Sequence, residues 1–241
     1  MFKEAKQNRI FQDVVEQIQD AILKGKLKPG EKLPSEREMR EVFRSSRGTI
    51  REALRILEQK GLINIKTGVS GGAVVNALNT NQISESLDLL IRYQRVSLRD
   101  LAEFREGVEG LVAGLAAERA TNKDIDRLEQ LLIEAKSHLE HGISHWDEFI
   151  KADNNLHLAL AQIAGNPIYE SVLKTVYENI RLYFSRFLPK KDELLKENYK
   201  DMREIVGAVK NREAAKANLL AQNHVYRFNR LMEEKARQSE A

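Results

Sequence analysis

Between residues 82 and 236 apolar residues return at helical spacing in one segment after another. Segments near 82–93, 97–119, 122–141, 146–164, 167–188, 191–210 and 212–236 each carry such a stripe. Breaks fall at Ser97, Thr121, Gly142, the run Gly165-Asn166-Pro167, Pro189 and Asn211. Pro167 suits a first helical position, and Gly165-Asn166 suits the end of the helix before it. A striped helix must bury its stripe against a neighbour, and here the neighbours are helices. The stretch therefore predicts an all-α bundle of six or seven helices.

The first 76 residues follow a different plan. Ile10, Val14, Ile18 and Ile22 recur every four positions, predicting a helix from Asn8 to about Lys24 that ends at "KGKLKPGEK". In "LPSEREMREVF", Ser35 with Glu38 three residues on forms a capping box, and Met39, Val42 and Phe43 form the apolar side of a second helix. A third helix, with Ser46 at its N-cap, carries Ile50, Ala53, Leu54 and Leu57. Strand-like "LINIK" and "AVV" flank the turn "TGVSGG". The order is helix, helix, helix, hairpin, followed by the polar connector "NALNTNQ". We expect two domains, 1–76 and 77–241.

Charge separates the same two pieces. Residues 1–76 hold 15 Lys+Arg against 10 Asp+Glu, whereas the remainder holds 24 against 26. A basic head on a slightly acidic body suits a polyanionic partner for the head. The chain has no cysteine, which excludes disulfides, thiolate metal sites and cysteine nucleophiles and fits a reducing compartment. Its start is polar, and no segment offers the ~20 apolar residues of a bilayer span, so the expectation is a cytoplasmic protein with no membrane partner.

A short helix, a tight turn and a second helix with arginines at its start is the helix-turn-helix pattern, and the hairpin makes it winged. In such a unit the N-terminal residues of the second helix meet base edges in the major groove. Here they are Ser46, Arg47, Gly48, Thr49 and Arg51. Arginine forks O6 and N7 of guanine, while the hydroxyls suit phosphate oxygens. Arg37, on the preceding helix, is a candidate for a flanking base or phosphate.

"LKPGEKLPSEREMREVFRSSRGTIREALRILEQKGLI" resembles the N-terminal domain of GntR-type bacterial transcription regulators, with their PG-x-x-LPSER-E, SR-x-T-x-REAL and LE-x-x-GLI pattern. That resemblance implies DNA contacts at Arg37, Ser46, Arg47, Thr49 and Arg51, with Gly68 in the wing. Gly48 stands where a bulkier residue is common, and the glycine spacing of the wing differs from the usual one.

In the body, polar residues interrupt apolar stripes. Asp153 and His157 share a stripe with Phe149, Ile150, Leu156, Leu160 and Ala164; His224 shares one with Ala217, Leu220, Ala221, Phe228 and Leu231; Arg105 sits among Leu101, Val108 and Val112. Burying such groups unpaired costs about 1–3 kcal/mol for a neutral polar group and more for a charge, so each needs a partner. Asp153, His157 and His224 could hold a metal, or an Asp-His pair four apart could hydrogen-bond to itself. Arg105 could fork a ligand carboxylate or pair with Glu109 one turn on. His141 and His145 have the Asp153/His157 spacing, but Gly142 breaks the helix between them; they read as loop histidines, and His138 as surface.

The body resembles the ligand-sensing helical FCD domain of the FadR branch of the same family. "LRDLAEFREGVEGLVAGLAAERAT" fits its R-x-x-x-E and AA-x-R-A-T positions, and "DNNLHLALAQIAGNP" its D-x-x-x-H and GN-P positions. Many members hold one divalent metal, usually zinc or nickel, with an aspartate and three histidines. Asp153, His157 and His224 match three of these, and Met202 stands at the fourth. A thioether is a poor ligand for such ions, so the resemblance implies a site with three protein ligands.

The expected function is a homodimeric, ligand-responsive regulator, a repressor rather than an enzyme. It would bind a short palindromic operator and sense a small organic acid at Arg105, with or without a metal. Two rivals stand beside it: a metal-free sensor of a larger ligand such as an acyl-coenzyme A, and a metal-dependent hydrolase using Asp153, His157 and His224. The hydrolase lacks an evident general base or nucleophile motif.

Overall fold

The computed structural model describes residues 9–66, 68, 71–77, 81–91, 93 and 96–240. The chain divides into two compact units, Met1–Gln82 and Ile83–Ala241.

In the first unit, α1 (Arg9–Leu23), α2 (Glu36–Phe43) and α3 (Arg47–Gln59) precede the antiparallel pair β1 (Ile63–Lys66) and β2 (Gly72–Val75). Ser35 and Glu38 close a reciprocal capping box on α2, and Arg44, at φ 46, takes the left-handed conformation that ends the helix. Two residues later Ser46 caps α3, its Oγ accepting from the Thr49 N–H at 3.1 Å. These two caps set the tight turn between α2 and α3. Val14, Ile18, Met39, Ile50, Leu57, Ile63 and Val75 fill one small core. Two expected core positions fail: Ile10 is 54% exposed and Val42 is 74% exposed. Each lies on its helix's apolar stripe, but at a point that no other described element of the unit covers. Asn8, the wing residues Thr67, Val69 and Ser70, and residues 78–80 of the connector lie outside the described residues.

The second unit consists of α4 (Asn81–Leu90), which starts two residues before it, α5 (Leu98–Arg119), α6 (Asn122–Leu139), α7 (Trp146–Ile163), α8 (Pro167–Phe187), α9 (Asp192–Lys210) and α10 (Ala214–Glu240). Capping boxes at Ser97/Asp100 and Thr121/Asp124 start α5 and α6. Gly165, at φ 67, ends α7, and Asn166 caps α8 with Pro167 at its first position. Gly142, at φ 60, breaks the chain between His141 and His145, where a 3-10 turn spans Gly142–His145.

The longest packing seam joins α5 and α10. Across it Gly110 and Gly114 of α5 face Asn218 and Ala214 of α10, and small residues of the two helices, Ala113, Ala117, Ala217 and Ala221, are fully buried. At Gly110 a Cβ would stand 2.9 Å from the Asn218 carbonyl oxygen, so only glycine permits this approach. The close seam brings the polar residues of α5 into the interior.

Candidate functional site

The base-reading residues expected in the first unit lie on its surface. Ser46, Arg47, Gly48 and Arg51 are exposed at the start of α3, and Thr49 is half-buried, its hydroxyl 2.9 Å from Ser46 Oγ. Arg37 projects into solvent, with a long contact of 3.8 Å to Glu41. A Cβ on Gly48 would meet nothing nearer than Ser46 Oγ at 3.6 Å, so the fold itself does not require glycine there. Gly68 is exposed at φ 107, in the left-handed region that favours glycine. One partner of these arginines had no sequence signal: Glu36, which accepts from the Nε of Arg47 at 3.1 Å and of Arg51 at 3.0 Å.

In the second unit five helices bring polar side chains to one interior point. α7 supplies Asp153 and His157 and α10 supplies His224; these three offer ligand atoms that all lie within 4.8 Å of one another, and all three residues are buried. Asp153 Oδ1 stands 3.7 Å from the Nε2 of His157 and 3.7 Å from the Nε2 of His224, too far for hydrogen bonds. Asp153 Oδ1 and His157 Nε2 have no hydrogen-bond partner among the described residues.

The far side of each imidazole is tied down. His157 Nδ1 lies 2.5 Å from Glu109 Oε2, and His224 Nδ1 lies 3.0 Å from Asp201 Oδ2. A charged carboxylate only accepts, so both Nδ1 atoms carry the proton and donate it. This arrangement turns each Nε2 towards Asp153, the way outer-shell carboxylates orient metal-binding histidines. Asp201 in turn receives a bond from Arg227, which also reaches Glu197 at 2.7 Å.

Glu109 is the hub. Its Oε1 accepts from Arg105 Nε at 2.7 Å, and its Oε2 accepts from the Tyr177 hydroxyl at 2.5 Å as well as from His157. Burial alone would push the Glu109 carboxyl up, but Arg105 and His157 beside it outweigh burial and hold it well below the usual carboxylate range. Burial likewise disfavours charge on His157, and the Glu109 charge prevails, raising its pKa. Arg105 thus makes the pairing with Glu109 that its spacing allowed, and its Nη2 donates to Tyr177 at 3.1 Å. Its Nη1, equally buried, has no hydrogen-bond partner among the described residues.

Met202 is fully buried in the body's core beside Asp201 on α9. Tyr177 and Asp201 were not foreseen. No local pattern marks them, because their roles depend on how α8 and α9 pack against α7 and α10. His138, His141 and His145 form a separate group at the α6–α7 turn, with the rings of His141 and His145 stacked at 4.3 Å.

The fit of a divalent metal can be judged from the donors. Two ligands on one ion at bond lengths of ~2.1 Å stand ~3.0–3.4 Å apart. Asp153 Oδ1 is 3.7 Å from each histidine Nε2 and all three ligand atoms lie within 4.8 Å of one another, so the group has to draw together to close on an ion. One carboxylate and two imidazoles suit zinc or nickel. The residues fit.

Comparison with known proteins places both units. The family of bacterial regulatory proteins called GntR matches residues 11–72, and the FCD domain matches residues 100–227. The chain belongs to the GntR family of transcription regulators. Within it, this regulator is 36% identical over 155 residues to the HTH-type transcriptional regulator LutR of Bacillus subtilis, covering 64% of the chain and 68% of that protein. It is 30% identical over 223 residues to the Uxu operon regulator of Haemophilus influenzae, covering 90% and 80% of the two chains. The HTH-type transcriptional repressor NanR of Cronobacter sakazakii is 28% identical over 223 residues, covering 90% of the regulator and 83% of that protein. Among solved structures, Streptococcus agalactiae GntR superposes with a TM-score of 0.66 at 22% identity, over 91% of this chain and 99% of that one, a likeness of fold. The winged helix-turn-helix head followed by a helical ligand-sensing domain is the architecture expected from the sequence. Among the described residues no helix is long and apolar enough to cross a membrane.

Proposed function

We propose that the regulator is a homodimeric repressor whose heads bind a short palindromic operator and whose helical domains sense a small organic acid at a divalent metal. In the head, Arg47 and Arg51 read bases, Ser46, Thr49 and the exposed amides around Gly48 take phosphates, and Arg37 and Gly68 contact flanking positions. In the body, Asp153, His157 and His224 hold one zinc or nickel ion, with Met202 withdrawn into the core where a fourth ligand would otherwise stand. When bound, the metal supplies open coordination positions for oxygen ligands. Arg105 Nη1 gives the effector carboxylate a charged donor, with Glu109 and Tyr177 keeping the guanidinium in place.

A single observation supports this most strongly: Asp153 Oδ1 and His157 Nε2 are buried, face each other at 3.7 Å and have no partner among the described residues, while the opposite nitrogen of each site histidine is held by a carboxylate. Leaving such atoms unsatisfied costs about 1–3 kcal/mol each, and a cation between them removes that cost. The test uses full-length protein with bound zinc and a duplex that it selects from a random pool. Small organic acids should change affinity for that duplex in the wild type and fail to do so in Asp153→Ala. An acyl-coenzyme A acting on metal-free protein, with no response to small acids, would transfer the assignment to the metal-free reading.

A further inference from the structure

Glu36 opens α2 and lies across from the start of α3, with its carboxylate between two arginines. Arg47 and Arg51 are four apart on α3, so they share a face and, alone, repel each other. Both give their Nε–H to this one carboxylate: Arg51 to both oxygens at 3.0 Å, Arg47 to Oε2 at 3.1 Å. Slight burial opposes the Glu36 charge, yet the bonds from Arg51 and Arg47 hold its carboxyl below the usual range, so it stays ionised. The carboxylate keeps 34% of its side-chain surface exposed, against 64% for Arg47 and 53% for Arg51.

Two features make this more than an exposed ion pair. A carboxylate placed among groups that approach phosphates weakens binding to any polyanion, so its presence there opposes general affinity. And because the bonds use Nε, the Nη1/Nη2 edge of each guanidinium makes no hydrogen bond among the described residues. That edge is the end-on fork that matches O6 and N7 of guanine. Long arginine side chains lose rotamer freedom on binding, and a shared anchor removes part of that loss before DNA arrives.

We propose that Glu36 is a positioning residue for base reading: one carboxylate aims Arg47 and Arg51 together, exchanging general affinity for DNA for discrimination between sequences. This rests on the assignment of Arg47 and Arg51 as base contacts. The partner chemistry is a duplex presenting guanine edges at two positions of one half-site.

The experiment compares the full chain with Glu36→Gln, Arg47→Ala, Arg51→Ala, the two arginine changes together, and all three changes combined. Each binds the duplex selected by the wild type and a scrambled duplex of the same composition, over a range of salt. Glu36→Gln should leave scrambled-duplex affinity unchanged or raise it, while lowering the ratio of specific to nonspecific affinity about tenfold or more. In a fresh selection it should relax both guanine positions at once, whereas each arginine variant relaxes one. Added to the two arginine changes, it should lower the ratio no further. A ratio unchanged by Glu36→Gln but lowered by Arg47→Ala overturns the proposal and leaves the recognition helix intact. An equal loss with and without the arginines means Glu36 contacts a base itself, which also overturns it. If neither arginine variant alters the ratio, the base-contact assignment fails and the role of Glu36 falls with it.

Discussion

The head and the body use the same device, one carboxylate gathering cationic groups, in opposite surroundings. Glu36 joins Arg47 and Arg51 at the surface, with 34% of its side chain exposed. Glu109 joins Arg105, His157 and Tyr177 in the interior, with 2% exposed. Water screens the first cluster, so its bonds contribute little to stability and are free to serve recognition. The second cluster has exchanged hydration for its partners, so losing one leaves a charge uncompensated. In the head a lost partner should therefore cost sequence discrimination, and in the body it should cost the fold.

The largest expected effect follows directly. Glu109→Ala strands Arg105 and removes the acceptor of His157 and Tyr177, and it should destabilise the body by about 3–5 kcal/mol in urea unfolding. Glu36→Ala should change stability by no more than about 1 kcal/mol. Similar losses for the two would break the comparison. Next comes Gly110→Ala, whose Cβ would stand 2.9 Å from a backbone oxygen of α10. It should cost about 1–3 kcal/mol of stability by forcing apart the seam that carries Arg105 and Glu109 inward.

Arg47→Ala should cost about 1–3 kcal/mol of specific DNA binding in a titration against the selected duplex, with unfolding shifted by less than about 0.5 kcal/mol. A stability loss as large as the binding loss would show that this surface cluster supports the head's fold after all. The smallest effect sharpens the body's side of the comparison. Met202→His should tighten zinc binding about tenfold or more in competition with a chelator, the scale on which outer-shell changes also act. Unchanged affinity would show that position 202 does not face the metal.

Much of the head was legible because its signals are local. The Ser35/Glu38 box and the Ser46 cap sit within one turn of the helices that they start, and the sequence pattern identified both. The exposure of Ile10 and Val42 was not legible, since periodicity marks a face without saying whether anything covers it. In the body, helix ends and the inward direction of Arg105, Asp153, His157 and His224 followed from their places on apolar stripes. Their partners did not. Tyr177 and Asp201 reach Glu109 and His224 only through the packing of α8 and α9, and residues so far apart in the chain leave no spacing to read. Glu36 was hidden for a related reason: it belongs to a motif already explained by capping, and its bonds to Arg47 and Arg51 appear only when α2 and α3 are set against each other.

The interior site is the centre of the functional proposal, and its metal content tests it most directly. Full-length wild type and Asp153→Ala, stripped with chelator, equilibrated with zinc or nickel and desalted, can be compared by elemental analysis beside their thermal unfolding. We predict about one ion per wild-type chain with a raised melting temperature, and neither in Asp153→Ala. Wild type and Asp153→Ala retaining equal metal, or wild type retaining none and melting at the same temperature with and without it, would contradict a metal held by Asp153, His157 and His224.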